Sequence, residues 1–241
     1  MDTGHIEING KKYPVLVTYE HRHNSRASIG RNSINIRMPD FLNRDERYRE
    51  VLKLKQWAEH KLKERPELQP EPKKEYKDGD ILKVGTAEYV LRIALKDKQS
   101  SSAHRRGSTI ALSLASSISE EDRQEHASSL ISRCVAGERL PQLKEKILKL
   151  NAAHFNQKIN KIFFKNISSR WGSCSRAGNI NISTRLLFAP DNVLESVCIH
   201  ELAHLIEHNH SERFWALVER AMPNHKEARA WLKENGKSCG F

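Results

Sequence analysis

The stretch Pro190-Asp191-Asn192-Val193-Leu194-Glu195-Ser196-Val197-Cys198-Ile199-His200-Glu201-Leu202-Ala203-His204-Leu205-Ile206-Glu207-His208-Asn209-His210-Ser211 decides how the chain is read. Val193, Leu194, Val197, Leu202, Leu205 and Ile206 recur at helical spacing, and Asp191 is a good N-cap, so a helix is expected from there to about Ile206. His200 and His204, four residues apart, stack on one face, where both imidazoles reach one ion. Glu201 lies about 100° around from His200, which sets its carboxylate beside the ion and not on it. A base placed there takes a proton from metal-bound water, so the pattern points to zinc-assisted hydrolysis.

Catalytic zinc takes three protein ligands plus water. His210 is the expected third ligand, with five residues between it and His204, the metzincin spacing. Metzincins turn the chain there on a glycine. This chain has Glu207 at that position, so Asn209, which tolerates the left-handed conformation, is the expected substitute. Ser211 would then cap a helix carrying Phe214, Trp215, Leu217 and Val218. His208 competes with His210 for the third place, but ligands strung along one straight helix cannot surround an ion tetrahedrally. Cys198 faces away from His200 and reads as a small core residue, whereas Cys174 lies in a loop able to approach the cleft. Arg170 and Trp171 fit two roles equally: cleft lining with Arg170 facing a developing oxyanion, or packing and a structural ion pair.

Outward from this stretch, the C-terminal half reads as helical. Ser119 followed by Asp122 resembles a capping box and opens a helix to about Val135, ended by Gly137. Pro141 suits the first turn of the next helix, with Leu143, Ile147, Leu148 and Leu150. Ile162-Phe163-Phe164 and Ile180-Asn181-Ile182-Ser183 read as strands, the second able to align an extended substrate. The N-terminal third alternates as strands. Ile6 and Ile8 precede the hairpin turn Asn9-Gly10; Tyr13, Val15, Val17 and Tyr19 follow it. A second hairpin spans Ala27 to Met38, turning near Gly30-Arg31-Asn32. A charge-dense helix covers 43–65, and Pro66 ends it. Residues 66–80 read as a linker, 81–84 and 89–94 as strands, Lys96 to Ser108 as a mobile basic loop, and Ile110, Leu112 and Leu114 as another strand. No internal repeat is detected. These elements divide into a β-rich region, 1–118, and a helical core, 119–241.

The chain has 241 residues, 38% apolar and 29% charged, which is the composition of a soluble globular protein. No apolar run is long enough to span a membrane, and no secretory signal is read at Met1. Four scattered cysteines without a C-x-x-C pair fit thiols in a reducing cytoplasm, so a cytoplasmic location is expected. The formal charge of +11 also admits nucleic-acid association, with Arg22, Arg26, Arg31, Arg105 and Arg106 as phosphate contacts.

The run Ser168-Ser169-Arg170-Trp171-Gly172-Ser173-Cys174-Ser175, with Gly178-Asn179-Ile180, Arg185-Leu186, Ala189-Pro190, the His200–His204 motif, Asn209-His210-Ser211 and Phe214-Trp215, resembles the YgjP-like metallopeptidases. That family is related to the SprT-like and WLM zinc peptidases. The resemblance runs from the N-terminal strands to about Gly236. It implies zinc on His200, His204 and His210, with Glu201 as catalytic base. The expected fold is α+β: an N-terminal antiparallel β-rich lobe packed with a zincin-like helical core that carries the motif on its active-site helix. The expected activity is hydrolysis of protein or peptide substrates through a zinc-bound water. The alternatives are a nucleic-acid-associated protein with a structural or vestigial metal site, and a zinc hydrolase acting on something other than peptides.

Overall fold

Asn9 and Gly10 both take positive φ, 52° and 74°, as the two central positions of the expected hairpin turn require. The computed structural model describes residues 3–30, 33–65 and 74–241. Arg31, Asn32 and residues 66–73 of the expected linker lie outside them. The turn joins β1 (Thr3–Ile8) to β2 (Lys11–Glu20), with Ile6 opposite Tyr13. β3 (Arg26–Ile29) and β4 (Ile34–Pro39) form the second expected hairpin. β2 and β4, however, lie side by side and parallel, so the order is β1-β2-β4-β3. The lobe expected to be antiparallel is thus built on a mixed sheet. Alternation tells which face is buried, but it does not choose a strand's neighbour or direction. The buried face, Ile6, Ile8, Val15, Val17, Ile34, Ile36 and Met38, is covered by Val51, Ala58 and Leu62 of α1 (Arg44–Glu64).

The same architecture then recurs. β5 (Ile81–Val84), β6 (Ala87–Lys96), β7 (Ser102–Arg106) and β8 (Thr109–Ala115) form a sheet of order β5-β6-β8-β7, with the same parallel central pair and antiparallel flanks. The register recurs as well. Ile6 opposite Tyr13 becomes Leu82 opposite Tyr89, Val15 opposite Ile34 becomes Leu91 opposite Ile110, and Ala27 opposite Ile36 becomes Ala103 opposite Leu112, a constant shift of 76 (6 to 82, 13 to 89, 34 to 110). The following helices begin at Arg44 and Glu120, again 76 apart. The chain therefore contains an architectural repeat that the sequence reading does not detect, because the copies share their apolar alternation and few identities. The Ser-rich stretch expected to be a mobile loop supplies β7. Its composition is that of a largely exposed strand, which carries little apolar signal.

The helix after the second sheet is also longer than expected. α2 runs unbroken from Glu120 to His154, 35 residues with Pro141 inside. Proline removes one helical donor and its ring crowds the carbonyl four residues back. Here that residue is Gly137, and a Cβ built on it would meet nothing within 4 Å. Both ends of α2 are held by burial. Ala127, Leu130, Ile131 and Val135 pack on the second sheet. Leu143 and Ile147 enter a separate core with β9 (Lys161–Lys165), β11 (Asn179–Ser183), α3 (Asp191–Ala203) and α4 (Glu212–Ala221). Burial of these six side chains outweighs the cost of a proline, so the stop at Gly137 does not occur.

A short strand not anticipated from the sequence, β10 (Gly172–Cys174), pairs antiparallel with β11, which pairs in parallel with β9. α5 (His225–Asn235) closes the element order. By clustering of contacts the chain divides into two units, residues 1–73 and 74–241. Among the described residues, no helix is long and apolar enough to cross a membrane.

Candidate metal centre

α3 is aimed by its buried face. Val193, Val197, Cys198, Ile199, Leu202 and Ala203 sink into the core, as the apolar spacing predicts. Asp191 is a first-turn residue and not the cap, which is Pro190. Its carboxylate instead accepts a hydrogen bond from Lys146 Nζ of α2 at 2.7 Å. The helix also ends earlier than expected, at Ala203, with His204 as C-cap. Tight bonds from Leu205 N to Leu202 O and from Ile206 N to Ala203 O turn the chain at once. Asn209 is therefore not the left-handed turn residue. Among the described non-glycine residues only Asn9 and Asn156 have positive φ. Ser211 caps α4 as expected, accepting from Phe214 N at 3.4 Å.

This early turn brings His200, His204 and His210 together, with one ring nitrogen from each within 4.8 Å of the others. His200 Nε2 and His210 Nε2 are 3.0 Å apart. His204 Nδ1 lies 3.0 Å from Glu207 O. A carbonyl can only accept, so Nδ1 carries the hydrogen and Nε2 keeps its lone pair for the shared centre. Burial, with the neighbouring His204 and His210, pushes His200 down to about 4; burial also lowers His204. Both rings are thereby held neutral, the state in which imidazole binds a metal. Phe214, fully buried, lies 4.5–4.9 Å from all three rings and forms their floor. His208 lines the same cleft but is not one of the converging three.

Glu201 lies beside the cluster, 4% exposed, and its Oε2 has no hydrogen-bond partner among the described residues. Burial pushes its carboxyl up to about 8, against an opposing pull from Arg170. An orphaned buried carboxylate oxygen next to three converging imidazoles is a donor set that suits zinc, and a bound cation would compensate the desolvation. Gly172 of β10 makes the placement possible: a Cβ there would stand 2.5 Å from Glu201 Oε1. A glycine within a strand marks a close approach, but the sequence does not show that Gly172 lies in a strand.

The cleft above the cluster has a volume of about 860 Å³. Trp171 forms part of its wall and is held by Arg185, whose guanidinium lies 3.9 Å over the indole and donates to Ser168 O, Cys239 O and Gly236 O. Cys174 lines the cleft outside the metal cluster, and burial and Glu201 raise its thiol to about 11. Cys198 is fully buried, as its position on the helix predicts. His225 and Arg229 of α5 also reach the cleft, although the sequence reading singled out neither. Of the five arginines offered as phosphate contacts, Arg22 pairs with Glu20 and Arg105 with Glu138.

The crystal structure of the metallopeptidase zymogen of Pyrococcus abyssi abylysin is similar over 38% of this chain and 93% of that one, at 24% identity and a TM-score of 0.35. The corresponding zymogen of Methanocaldococcus jannaschii jannalysin is similar over 39% and 95%, at 17% identity and a TM-score of 0.35. No curated protein matches. The model of the YgjP-like metallopeptidase domain matches residues 23–235, so the chain belongs to the YgjP-like metallopeptidase family.

Proposed function

We propose that the chain hydrolyses peptide bonds with zinc held by His200, His204 and His210 and with Glu201 as the base. The observation that carries this reading is the convergence of three imidazole nitrogens beside one buried, unpartnered carboxylate oxygen. All of these groups fall within residues 119–241, to which we assign the catalytic core.

Zinc in such a site supplies a Lewis acid and lowers the pKa of a coordinated water towards neutrality. The chain's own residues do the rest. Glu201 accepts the proton of the attacking water and delivers it to the leaving amine. Gly172 leaves room for that carboxylate. Phe214 keeps the underside of the imidazoles dry. The substrate strand is β10 and not β11. β11 is the central strand, hydrogen-bonded on both sides, whereas β10, among the described residues, pairs only with β11 and so offers its other edge to an extended peptide.

Metal content and hydrolysis of an unfolded protein test the reading together. Glu201→Gln should hold one zinc per chain and lose roughly 100-fold or more in rate. His210→Ala should lose the metal, and His208→Ala should keep it. A Glu201→Gln protein with undiminished activity would sink the mechanism.

A further inference from the structure

The charge on the cleft walls is one-sided. Arg170, Arg176 and Arg229 line it together with the metal cluster, and Glu201 is its one carboxylate. Among the described residues, none of the three arginines forms an ion pair. Four arginines outside the cleft do form ion pairs, Arg22 and Arg37 with Glu20, Arg92 with Asp78, and Arg105 with Glu138. Along α5 the residues one turn from Arg229 are His225, Lys226, Leu232 and Lys233, none of them acidic.

The three positive groups are also placed with respect to the edge strand. Arg170 precedes β10 (Gly172–Cys174) by two residues and Arg176 follows it by two, so they bracket the strand along which a substrate would pair. Arg229 approaches from α5, where its guanidinium lies 5.5 Å from the centre of the Trp215 ring. His225, one turn earlier, stacks on the same indole at 5.7 Å and 22°. Trp215 thus holds Arg229 in place before any substrate arrives, and a guanidinium fixed in this way loses less freedom on binding a carboxylate.

We propose that the cleft selects acidic peptides, with side-chain carboxylates on either side of the scissile bond held by Arg170, Arg176 and Arg229. This rests on the peptidase reading above and names the substrate class of that site. Low-dielectric walls focus the field of three arginines that Glu201 alone opposes, so the preference acts on encounter as well as on affinity. Side-chain carboxylates fit better than a terminal one, because the arginines stand at both ends of the strand.

The test uses the zinc-loaded full chain carrying Glu201→Gln, and three eight-residue peptides. One is capped at both termini with glutamates flanking a central neutral pair. The second is the same peptide with glutamine for glutamate. The third is the glutamine peptide with a free terminal carboxylate. The first should bind at least about tenfold tighter than the other two at low salt, with the gap closing as salt is raised. In Arg176→Gln/Arg229→Gln the ratio should fall to about two or less, and Arg229→Glu should favour a lysine-bearing peptide. Equal binding of the first two peptides, or a preference that survives the double substitution, overturns the proposal. So does a preference for the free carboxylate alone, or displacement of the acidic peptide by a short single-stranded oligonucleotide, which would mark the arginines as phosphate contacts. Hydrolysis is read separately on the zinc-loaded wild type. Tight acidic binding without cleavage of any peptide overturns the peptidase reading and leaves the acidic selectivity standing.

Discussion

Residues 3–64 and the stretch beginning at residue 79 build the same kind of sheet, in the same register, under helices that start at equivalent positions, yet among the described residues the three converging histidines follow the second alone. The two part at their prolines. After α1 the chain reads Arg65-Pro66. Arg65 takes φ −133° and ψ 79°, out of the helical region, as a residue before proline prefers. In α2 the chain reads Leu140-Pro141 and the helix continues for more than three further turns. The local chemistry is nearly the same. α2 continues because Leu143 and Ile147, beyond its proline, have a core to enter. Tertiary burial carries α2 past Pro141, and it thereby joins the second copy to the core beneath the three histidines.

If that is right, the copies differ most in what their removal does. Residues 74–241 alone should unfold cooperatively and bind one zinc, whereas deleting 79–118 from the full chain should abolish both. The second sheet shares its core with α2, and α2 feeds the core beneath α3. Thermal unfolding with metal analysis checks this, and loss of zinc binding on removing 1–73 would break the comparison. Point substitutions sharpen it. Ile36 and Leu112 are equivalent and buried, so Ile36→Ala and Leu112→Ala should each cost about 2–5 kcal/mol. They should act on different transitions, since the two side chains belong to different cores. Trp57, the one tryptophan in residues 1–73, reports the first, and Trp171, Trp215 and Trp231 report the second. A single transition shifted equally by both would mean that the units unfold as one.

The same contrast explains what was legible in the sequence. Signals confined to a few adjacent residues transferred directly: the Asn9-Gly10 turn, the caps at Ser119 and Ser211, the alternation of Ile34 and Ile36, and the stacking of His200 on His204. Features set by partners far along the chain did not. The parallel pairing of β2 with β4, the survival of α2 through Pro141, and the turn directly after Ala203 each depend on what packs alongside. β10 has three residues and no apolar alternation, so neither it nor the fit of Gly172 against Glu201 could be read. His225 and Arg229 gave only the weak signal of a helix carrying Ala228, Trp231 and Leu232.

Among the described residues, only the second unit carries a buried carboxylate with an unpartnered oxygen, and that should show in its stability. Folding raises Glu201 from its ordinary value of 4.5 to about 8. In the metal-free protein the folded state therefore holds a proton that the unfolded state releases, and stability falls as pH rises from 4.5 to about 8. Glu201→Gln removes that dependence. The metal-free variant should be more stable than wild type by on the order of 2–4 kcal/mol above pH 8, and little different near pH 4. The difference should appear in the tryptophan transition of residues 74–241 and not in that of Trp57. Parallel pH profiles for variant and wild type would show that Glu201 is solvated or paired in solution.

The smallest expected difference lies at the two helix starts. Asn43 accepts from Glu46 N at 3.0 Å while Glu46 Oε2 accepts from Asn43 N at 2.9 Å, a complete capping box. At the equivalent position Ser119 accepts from Asp122 N at 3.2 Å, but the shorter Asp122 takes the Ser119 hydroxyl at 2.6 Å instead of reaching the backbone N–H. The second cap therefore satisfies one orphan donor where the first satisfies two. Asn43→Ala should cost about 1–2 kcal/mol in the Trp57 transition, and Ser119→Ala about 0.5–1 kcal/mol in the other. Asp122→Glu should complete the second box and recover a few tenths of a kcal/mol, measured by denaturant titration. Equal costs at Asn43 and Ser119 would show that the reciprocal bond contributes nothing, and that the two copies start their helices on a single side-chain acceptor each.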